Sequence, residues 1–212
     1  MSYACLILGE SGTGKTCSLR NLDPTNTFLI QPVRKPLPFP SKGWREGQGG
    51  NIYVCSNPVD IVNVMKAAPF DVIVVDDWQY ILANMFMSRR TEKNFEKWAE
   101  IGGAGFDIAK AASELAEHKR VYVLAHTMTD DFGNTRIKTL GKLLDDKIVV
   151  EGLFTTVLRT QIADGNFYFS TVNNGHDTVK SPMGMFKDKL IENDLAAVDS
   201  RICEYYGIFT QN

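Results

Sequence analysis

Gly9-Glu10-Ser11-Gly12-Thr13-Gly14-Lys15-Thr16 is a complete phosphate-binding loop of the pattern G-x-x-x-x-G-K-[ST]. Its glycines let main-chain N–H groups approach a phosphate that a Cβ would hold away. Lys15 supplies a positive charge for the β- and γ-phosphates, and the Thr16 hydroxyl can bind Mg²⁺. We therefore expect residues 9–16, with Cys17 directly behind them, to bind a nucleoside triphosphate.

The flanking sequence supports this interpretation over a chance match. The apolar run Tyr3–Leu8 precedes the loop and is typical of a buried parallel strand. Residues Lys15–Asn21 follow it and are predicted to form a helix that ends before Pro24, with an N-terminus that favours anions. Strand, loop and helix thus occur in the order that a phosphate-binding loop requires.

The composition is that of an ordinary α/β protein, with 212 residues, 44% of them hydrophobic and 23% charged. This length predicts a single domain over residues 1–212. The net charge of −2 means that any contact with nucleic acid must use a local basic patch or an assembled surface.

The cysteines and the apolar runs indicate a reduced, cytoplasmic protein. The four cysteines are scattered without a C-x-x-C pair, which argues against a zinc site or a disulfide framework. The first strand starts almost at Met1, so we expect no signal peptide, and no apolar run approaches the 18 residues of a membrane span.

The remaining chain alternates strand and helix signals, which predicts an α/β fold with a mainly parallel sheet flanked by helices. Because ligands bind at the carboxyl ends of such strands, we expect the site there. The expected segments are strands at 27–30, 71–77 and 121–125, a Pro/Gly-rich insertion loop at 32–50, a helical region at 79–118 broken near Gly102-Gly103, a polar loop at 127–147, a C-terminal antiparallel hairpin at 153–172, and a last helix at 192–207.

Three polar residues follow predicted strands and are candidates for the chemistry. Asp76 ends the run Val-Ile-Val-Val, where a carboxylate orients Mg²⁺ opposite the Thr16 hydroxyl. Asp77 either orients the attacking water or caps the next helix. His126 follows the strand that ends at Ala125 and would face the γ-phosphate as a sensor, the alternative being a solvated histidine.

Two other motifs in the polar loop are less specific. Asp131-Phe132-Gly133 occurs without the H-R-D segment of protein kinases, and Asp130-x-x-Gly133 occurs without the N-K-x-D motif of GTPases, so both are interpreted as turn residues. The charges of the loop balance, which is typical of a solvated segment. Its basic residues from Arg136 to Lys142 would contact phosphates if the loop lines a channel.

These residues together resemble the short phage-encoded P-loop ATPases of the RecA superfamily. The resemblance spans nearly the whole chain. It rests on the phosphate loop, Arg20-Asn21-Leu22-Asp23-Pro24, Lys35-Pro36-Leu37-Pro38-Phe39, Val74-Val75-Asp76-Asp77, Ala125-His126-Thr127 and the segment from Asp177 to Phe186.

The resemblance implies a RecA-like core that uses ATP and Mg²⁺ in phage recombination or single-strand annealing. It implies single-stranded DNA and a phage or host single-strand-binding protein as partners, a homo-oligomer with ATP at the subunit interface, and the host cytoplasm as location. Lys180 matches the position from which RecA-type proteins present a lysine to the γ-phosphate of the neighbouring subunit, as an arginine finger does.

One departure from that family leaves the catalytic strength open. RecA-type enzymes carry a glutamate where this chain has Gln31, which holds a water without accepting its proton. Asp77 or Glu10 would then have to serve as the carboxylate. The alternatives to a DNA-dependent ATPase are a small-molecule P-loop kinase acting on nucleosides or nucleotides, and a nucleotide-switched binding module with little turnover.

Overall fold

The computed structural model describes residues 1–140 and 148–208. These residues form nine strands, four α-helices and two 3₁₀ helices. The strands are β1 (Tyr3–Gly9), β2 (Thr27–Gln31), β3 (Ile52–Val54), β4 (Val72–Val75), β5 (Arg120–Thr129), β6 (Thr135–Ile137), β7 (Thr156–Ala163), β8 (Asn166–Ser170) and β9 (Leu190–Glu192). The α-helices are α1 (Pro58–Ala67), α2 (Gln79–Ser88), α3 (Glu96–Ala111) and α4 (Leu195–Tyr206), and the 3₁₀ helices cover Thr16–Asn21 and Val150–Leu153.

The strands build one mixed, mostly parallel sheet in the order β3-β2-β4-β5-β1-β7-β8-β9, with β6 paired to β5. Neighbours from β3 to β7 are parallel. The expected C-terminal hairpin is formed by β7 and β8, and β9 extends it. The fold is therefore α/β, as the alternating pattern predicts, and β5 separates β1 from β4.

Alternate residues of the central strands face two separate apolar layers. Leu6, Ile73 and Val123 pack with α1, α2 and α3 on one face of the sheet. On the other face, Ile7 and Leu124 pack with Leu19 of the first 3₁₀ helix, Trp44 and the apolar side of α4. Both faces are covered by helical elements, which explains why β1, β4 and the first half of β5 are continuous apolar runs.

The predicted break of the second helical region near Gly102-Gly103 is wrong. Both glycines lie inside α3, and the chain leaves the helix at 89–95, between α2 and α3. The backbone of α3 packs closely against Trp78 at Gly105, where Trp78 Nε1 donates to Gly105 O at 3.3 Å. A Cβ on Gly105 would lie 2.8 Å from the Trp78 ring, so the glycine allows a close helix contact instead of ending the helix.

The helix expected over 15–21 after the phosphate loop is present, as a 3₁₀ helix over Thr16–Asn21. The Ser18 hydroxyl donates to Lys15 O at 2.6 Å and so competes for a carbonyl of the first turn. The segment also has little room before Asp23-Pro24. Anion binding at this loop therefore depends on local N–H groups and Lys15, not on a long helix dipole.

Two further boundaries differ from the sequence prediction. The polar loop expected at 127–147 contains the end of β5 and all of β6, which pair as a hairpin through Thr129 and Thr135; residues 141–147 lie outside the described part of the chain. The last helix begins at Leu195 instead of residue 192, because β9 includes Glu192 and Asp194 caps the helix by accepting from Ala196 N.

The insertion at 32–50 contains no helix or strand of its own and folds back onto the sheet. Trp44 is buried, and Phe39 packs edge-on against it with ring centroids 6.2 Å apart. Within the described residues, no helix is both long and apolar enough to cross a membrane.

Candidate functional site

The phosphate loop joins the carboxyl end of β1 to the first 3₁₀ helix. Gly9 is required by a close approach, because a Cβ there would lie 1.9 Å from Thr160 Oγ1 on β7. Gly14 has a φ of 99°, a conformation that disfavours side chains. The loop is therefore pressed against β7 on one side while its own backbone curves around an open space.

The ammonium of Lys15 lies inside this curve. Lys15 is 5% exposed, and its Nζ donates to Gly9 O at 2.9 Å and to Glu10 O at 2.8 Å. Burial lowers the pKa of Lys15, although Asp77 and Asp76 act against this shift. A buried ammonium held by neutral carbonyls gains strongly from an anionic ligand, so Lys15 is placed to bind phosphate oxygens.

Thr16 begins the 3₁₀ helix after β1, and it meets Asp76 at the end of β4, although β1 and β4 are not neighbours in the sheet. The Thr16 hydroxyl donates to the Asp76 carboxylate, at 3.0 Å from Oδ1 and 3.1 Å from Oδ2. Asp76 directly follows β4 and is 1% exposed. Burial and the charge of Asp77 raise the pKa of Asp76 to about 6, against the effects of Lys35, Thr16 and Lys15. A hydroxyl and a buried carboxylate at this separation fit a Mg²⁺ ion that completes its shell with phosphate oxygens and water.

Asp77 adopts a backbone conformation that is uncommon for its type, with a φ of 64°. Its carboxylate contacts the ammonium of Lys35 and the imidazole of His126. Burial acts to raise the pKa of Asp77, but hydrogen bonds from His126 and Lys35 and the charge of Lys35 outweigh it and lower the pKa. Asp77 is thus an ionised group at neutral pH that points into the site, and Asp76 beside it is the more easily protonated of the two.

The prediction that His126 follows the end of its strand is wrong, because β5 continues to Thr129 and His126 lies within it. It lies in register with Gly9 of β1, and its Nε2 is 3.4 Å from Asp77 Oδ1. Its main-chain N–H donates to Gln79 Oε1 at 3.1 Å, and its ring meets Tyr80 edge-on. The histidine therefore joins the first turn of α2 to the phosphate loop strand.

Lys35 is a site residue that sequence reasoning missed. It belongs to the insertion at 32–50, and its ammonium forms an ion pair with Asp77 and lies 3.7 Å from Asp76 Oδ2. Although burial alone would lower it, Asp76 and Asp77 raise the pKa of Lys35. The sequence offered no local signal for this contact, because 42 positions and five prolines separate the two partners.

These groups surround a cavity of about 570 Å³ at the carboxyl edge of the sheet. It combines an acidic end at Asp77 with the cationic side chains of Lys15, Lys35 and Lys138. Such a surplus of cations suits a polyanionic ligand. The cavity is lined by Ser11, Gly12, Gly14, Lys15, Thr16, Cys17, Val33, Lys35, Pro38, Asp77, Tyr80, His126, Lys138 and Phe167.

A second cavity of about 460 Å³ adjoins the first and shares Cys17 and Phe167 with it. Its other lining residues include Arg20, Asn166 and Tyr168. Beside it, the side-chain amide of Asn193 is buried and has no hydrogen-bond partner among the described residues. The two cavities form a continuous path along the phosphate loop, from the carboxylates to the edge of β8.

The structure places three other candidate residues outside these cavities. Lys180 is exposed and pairs its main chain with Val157 of β7. Gln31 is 3% exposed at the end of β2, with no partner for its Nε2 among the described residues, and Glu10 is exposed on the outside of the loop. Asp77 is therefore the carboxylate that lines the cavity beside Lys15, and Lys180 lines neither of these two cavities.

A cavity of about 650 Å³, larger than the one beside the phosphate loop, lies at the opposite end of the sheet around Tyr3 and His118. It contains no glycine-rich loop and no lysine, so volume alone does not identify the site. The described residues also contain no cluster of three histidine, cysteine, aspartate or glutamate side chains that would hold a metal ion by itself. A Mg²⁺ ion at Asp76 and Thr16 would therefore depend on ligand phosphates.

The chain matches no protein-family model and no curated protein.

Proposed function

We propose that this protein is a Mg²⁺-dependent ATPase with a RecA-like core that acts with single-stranded DNA in phage recombination or strand annealing. The observation that supports it most is the convergence of Lys15, the Thr16–Asp76 pair and the Asp77–His126 pair on one cavity. These groups come from β1, β4 and β5, so their meeting is a property of the fold and not of a short motif.

The positions of these groups define the orientation that ATP would take in the site. Lys15 binds the β- and γ-phosphates, so the γ-phosphate lies at the end of the cavity that holds Asp77 and His126. The α-phosphate then lies near Cys17, from which the second cavity leads away. The nucleoside would occupy that cavity, with Phe167 and Tyr168 as candidates to stack on the base.

Hydrolysis in this arrangement is mainly a matter of positioning and charge. Lys15 stabilises the charge that develops on the transferred phosphoryl group, and Thr16 and Asp76 would hold a Mg²⁺ ion, which would supply further charge neutralisation for the phosphates. Asp77 is ionised and orients the attacking water, while His126 fixes the direction of its carboxylate. Because its pKa is low, Asp77 is a weak base, and we expect slow turnover in the absence of a partner.

The role of DNA is supported by the family resemblance and by the β5–β6 hairpin. Its strand β6 exposes Arg136, and Lys138 directly after it lines the nucleotide cavity. Phe132 at the tip of the hairpin is 86% exposed. Basic and aromatic side chains on one projecting hairpin suit a single strand, whose phosphates and bases they would contact. Lys142, which belongs to the same basic group in the sequence, lies outside the described residues.

The DNA part is tested by measuring ATP turnover with and without single-stranded DNA at low salt. We expect stimulation by DNA, and we expect Phe132→Ala with Arg136→Gln to remove the stimulation while leaving nucleotide affinity unchanged. Turnover that DNA does not change, together with no DNA binding at low salt, would contradict the DNA role and leave the ATP site standing.

We propose that Lys180 lies at a subunit interface, because it is exposed and does not line the cavity of its own chain. In a homo-oligomer it would reach the γ-phosphate of the neighbouring subunit. Mixing Lys15→Ala chains with Lys180→Ala chains tests this, since some mixed interfaces would unite an intact Lys15 with an intact Lys180. Activity in the mixture that exceeds the sum of both variants is expected; strict additivity would sink the interface role.

The geometry of Gln31 favours a second candidate, a nucleotide-switched binding module with little turnover. Gln31 is buried and outside the cavity, so the position of the family's glutamate supplies no base here. Single-turnover measurements separate the two candidates, because a switch would retain bound ATP for many minutes. A small-molecule kinase is less favoured, since no arginine lines the main cavity within the described part of the chain.

A further inference from the structure

Lys35 lies where a cation is needed when no metal is bound. Two adjacent carboxylates, Asp76 and Asp77, share the end of the cavity, and the ammonium of Lys35 contacts one and lies 3.7 Å from the other. Lys15 is held by loop carbonyls instead. Lys35 is therefore the side chain that offsets the repulsion between the two aspartates in the free protein.

A Mg²⁺ ion bound to Asp76 and Thr16 would make this position of the Lys35 ammonium less favourable. A divalent cation next to the Asp76 carboxylate would repel an ammonium at 3.7 Å. The nucleoside triphosphate that binds with this ion would bring γ-phosphate oxygens to the end of the cavity that Lys35 lines. The ammonium loses its interaction with Asp76 and gains an anionic partner within the same space.

We propose that Lys35 binds the γ-phosphate in cis, moving from Asp76 to a phosphate oxygen when the magnesium nucleoside triphosphate enters, and that it carries the insertion at 32–50 with it. This inference rests on the proposed nucleotide site and adds to it a residue that distinguishes triphosphate from diphosphate. It also gives the site a cation that needs no neighbouring subunit, unlike Lys180.

The insertion is built to transmit such a movement. Pro36 and Pro38 restrict the backbone directly after Lys35, and Val33 and Pro38 line the same cavity. The insertion is attached to the apolar layer on one face of the sheet through the buried Trp44, against which Phe39 packs. A displacement of the Lys35 ammonium would therefore move a segment that contains neither helix nor strand. The only β-pairing of this segment among the described residues is the single bridge between Glu46 and Ile52.

Nucleotide binding to three variants tests the first half of the proposal. Lys35→Met removes the charge, Lys35→Arg keeps it, and Lys42→Met is the matched control, an exposed lysine of the same insertion. Affinities for a slowly hydrolysed ATP analogue and for ADP, both with Mg²⁺, are measured by calorimetry. Circular dichroism checks that each variant is folded.

We expect the wild type and Lys42→Met to prefer the triphosphate, and Lys35→Met to lose about tenfold in affinity for the triphosphate with little change for ADP. Lys35→Arg should retain most of the preference. Equal losses for both nucleotides, or tighter binding of both by Lys35→Met, would overturn the proposal, the latter by showing that Lys35 only blocks the metal site. A wild type that binds neither nucleotide would overturn the proposed function itself.

Hydrogen exchange of the peptides that cover 32–50 tests the second half without any turnover. The triphosphate analogue, but not ADP, should change exchange in this segment of the wild type and of Lys42→Met, and the difference should disappear in Lys35→Met. Exchange in 32–50 that responds alike to both nucleotides would contradict the coupling, even where the affinities agree with the first test.

Discussion

The two ends of the central sheet both bury charged side chains, and they use them differently. At the amino end, Arg120 is 1% exposed and forms two hydrogen bonds with Asp199 of α4, each 3.0 Å long. Tyr122 donates to the same carboxylate at 2.5 Å, and Asp71 lies 3.8 Å from Arg120. Arg120, Asp199 and Asp71 are thus matched by one another within the protein.

At the carboxyl end, the charges are not matched. Lys15 is held by two carbonyls, and Lys35 divides its contact between two carboxylates. The cavity beside them carries more cations than anions. The comparison shows that buried charge alone does not mark a binding site; what marks it is buried charge whose partners are incomplete and which opens onto a cavity.

The largest effect should come from the matched end. Replacing Arg120 by Leu leaves the carboxylates of Asp199 and Asp71 buried without their cation, and we expect a loss of about 3–5 kcal/mol in unfolding free energy. Urea unfolding measures it. The double variant Arg120→Leu with Asp199→Leu should recover part of the loss, and nucleotide affinity of the folded protein should not change. A loss below about 1 kcal/mol would show that this pair is not structural.

Lys15→Ala should give the reverse pattern at the unmatched end. Nucleotide affinity should fall about thirty- to a hundredfold, because a charge-assisted contact with phosphate is removed. Stability should change little, since the ammonium is buried against neutral carbonyls. Calorimetry and urea unfolding on the same variant separate the two. Normal binding by Lys15→Ala would remove the assignment of the site.

At the carboxyl end of the sheet, nucleotide affinity should depend on pH through Asp76. The pKa of Asp76 is raised to about 6, so its carboxylate is ionised above that pH and protonated below it. Because Mg²⁺ needs the ionised form, Mg²⁺-dependent nucleotide affinity should fall by about tenfold from pH 7 to pH 5. Asp76→Asn is the control, which retains only the titration of the nucleotide. Identical pH profiles for both proteins would contradict the metal role of Asp76.

The smallest effect should come from Phe167, at the junction of the two cavities. Phe167→Ala should weaken ATP binding by about fivefold through lost stacking on the base. Inorganic triphosphate, which has no base, should bind both proteins equally. An equal loss for both ligands would instead place Phe167 among the residues that shape the phosphate loop, whose Gly14 it approaches.

The sequence predicted those parts of the molecule whose signal is local. The apolar runs of β1 and β4 predict buried strands. Asp164-Gly165 predicts a hairpin turn, and both residues have the positive φ that such a turn needs. The order of loop and carboxylate predicted the Thr16–Asp76 contact because parallel strands bring their carboxyl ends to one edge.

The parts that the sequence did not predict depend on tertiary contacts. Gly102-Gly103 resembles a helix break until the packing of α3 against α2 is known. The strand β9 has three residues and no periodicity of its own, so only its pairing with β8 defines it. Lys35 reaches Asp77 from a proline-rich loop whose path no local rule determines.

Because β5 lies between β1 and β4 in the sheet, the ligand site can form only when β5 has joined the fold. Thr16 and Asp76 are 60 positions apart, and the strand that sets their distance begins only at Arg120. A growing or partly folded chain therefore has the phosphate loop long before it has the site. Because ATP would bind only after β5 has entered the sheet, saturating nucleotide should stabilise the whole fold by mass action and protect even strands far from the cavity.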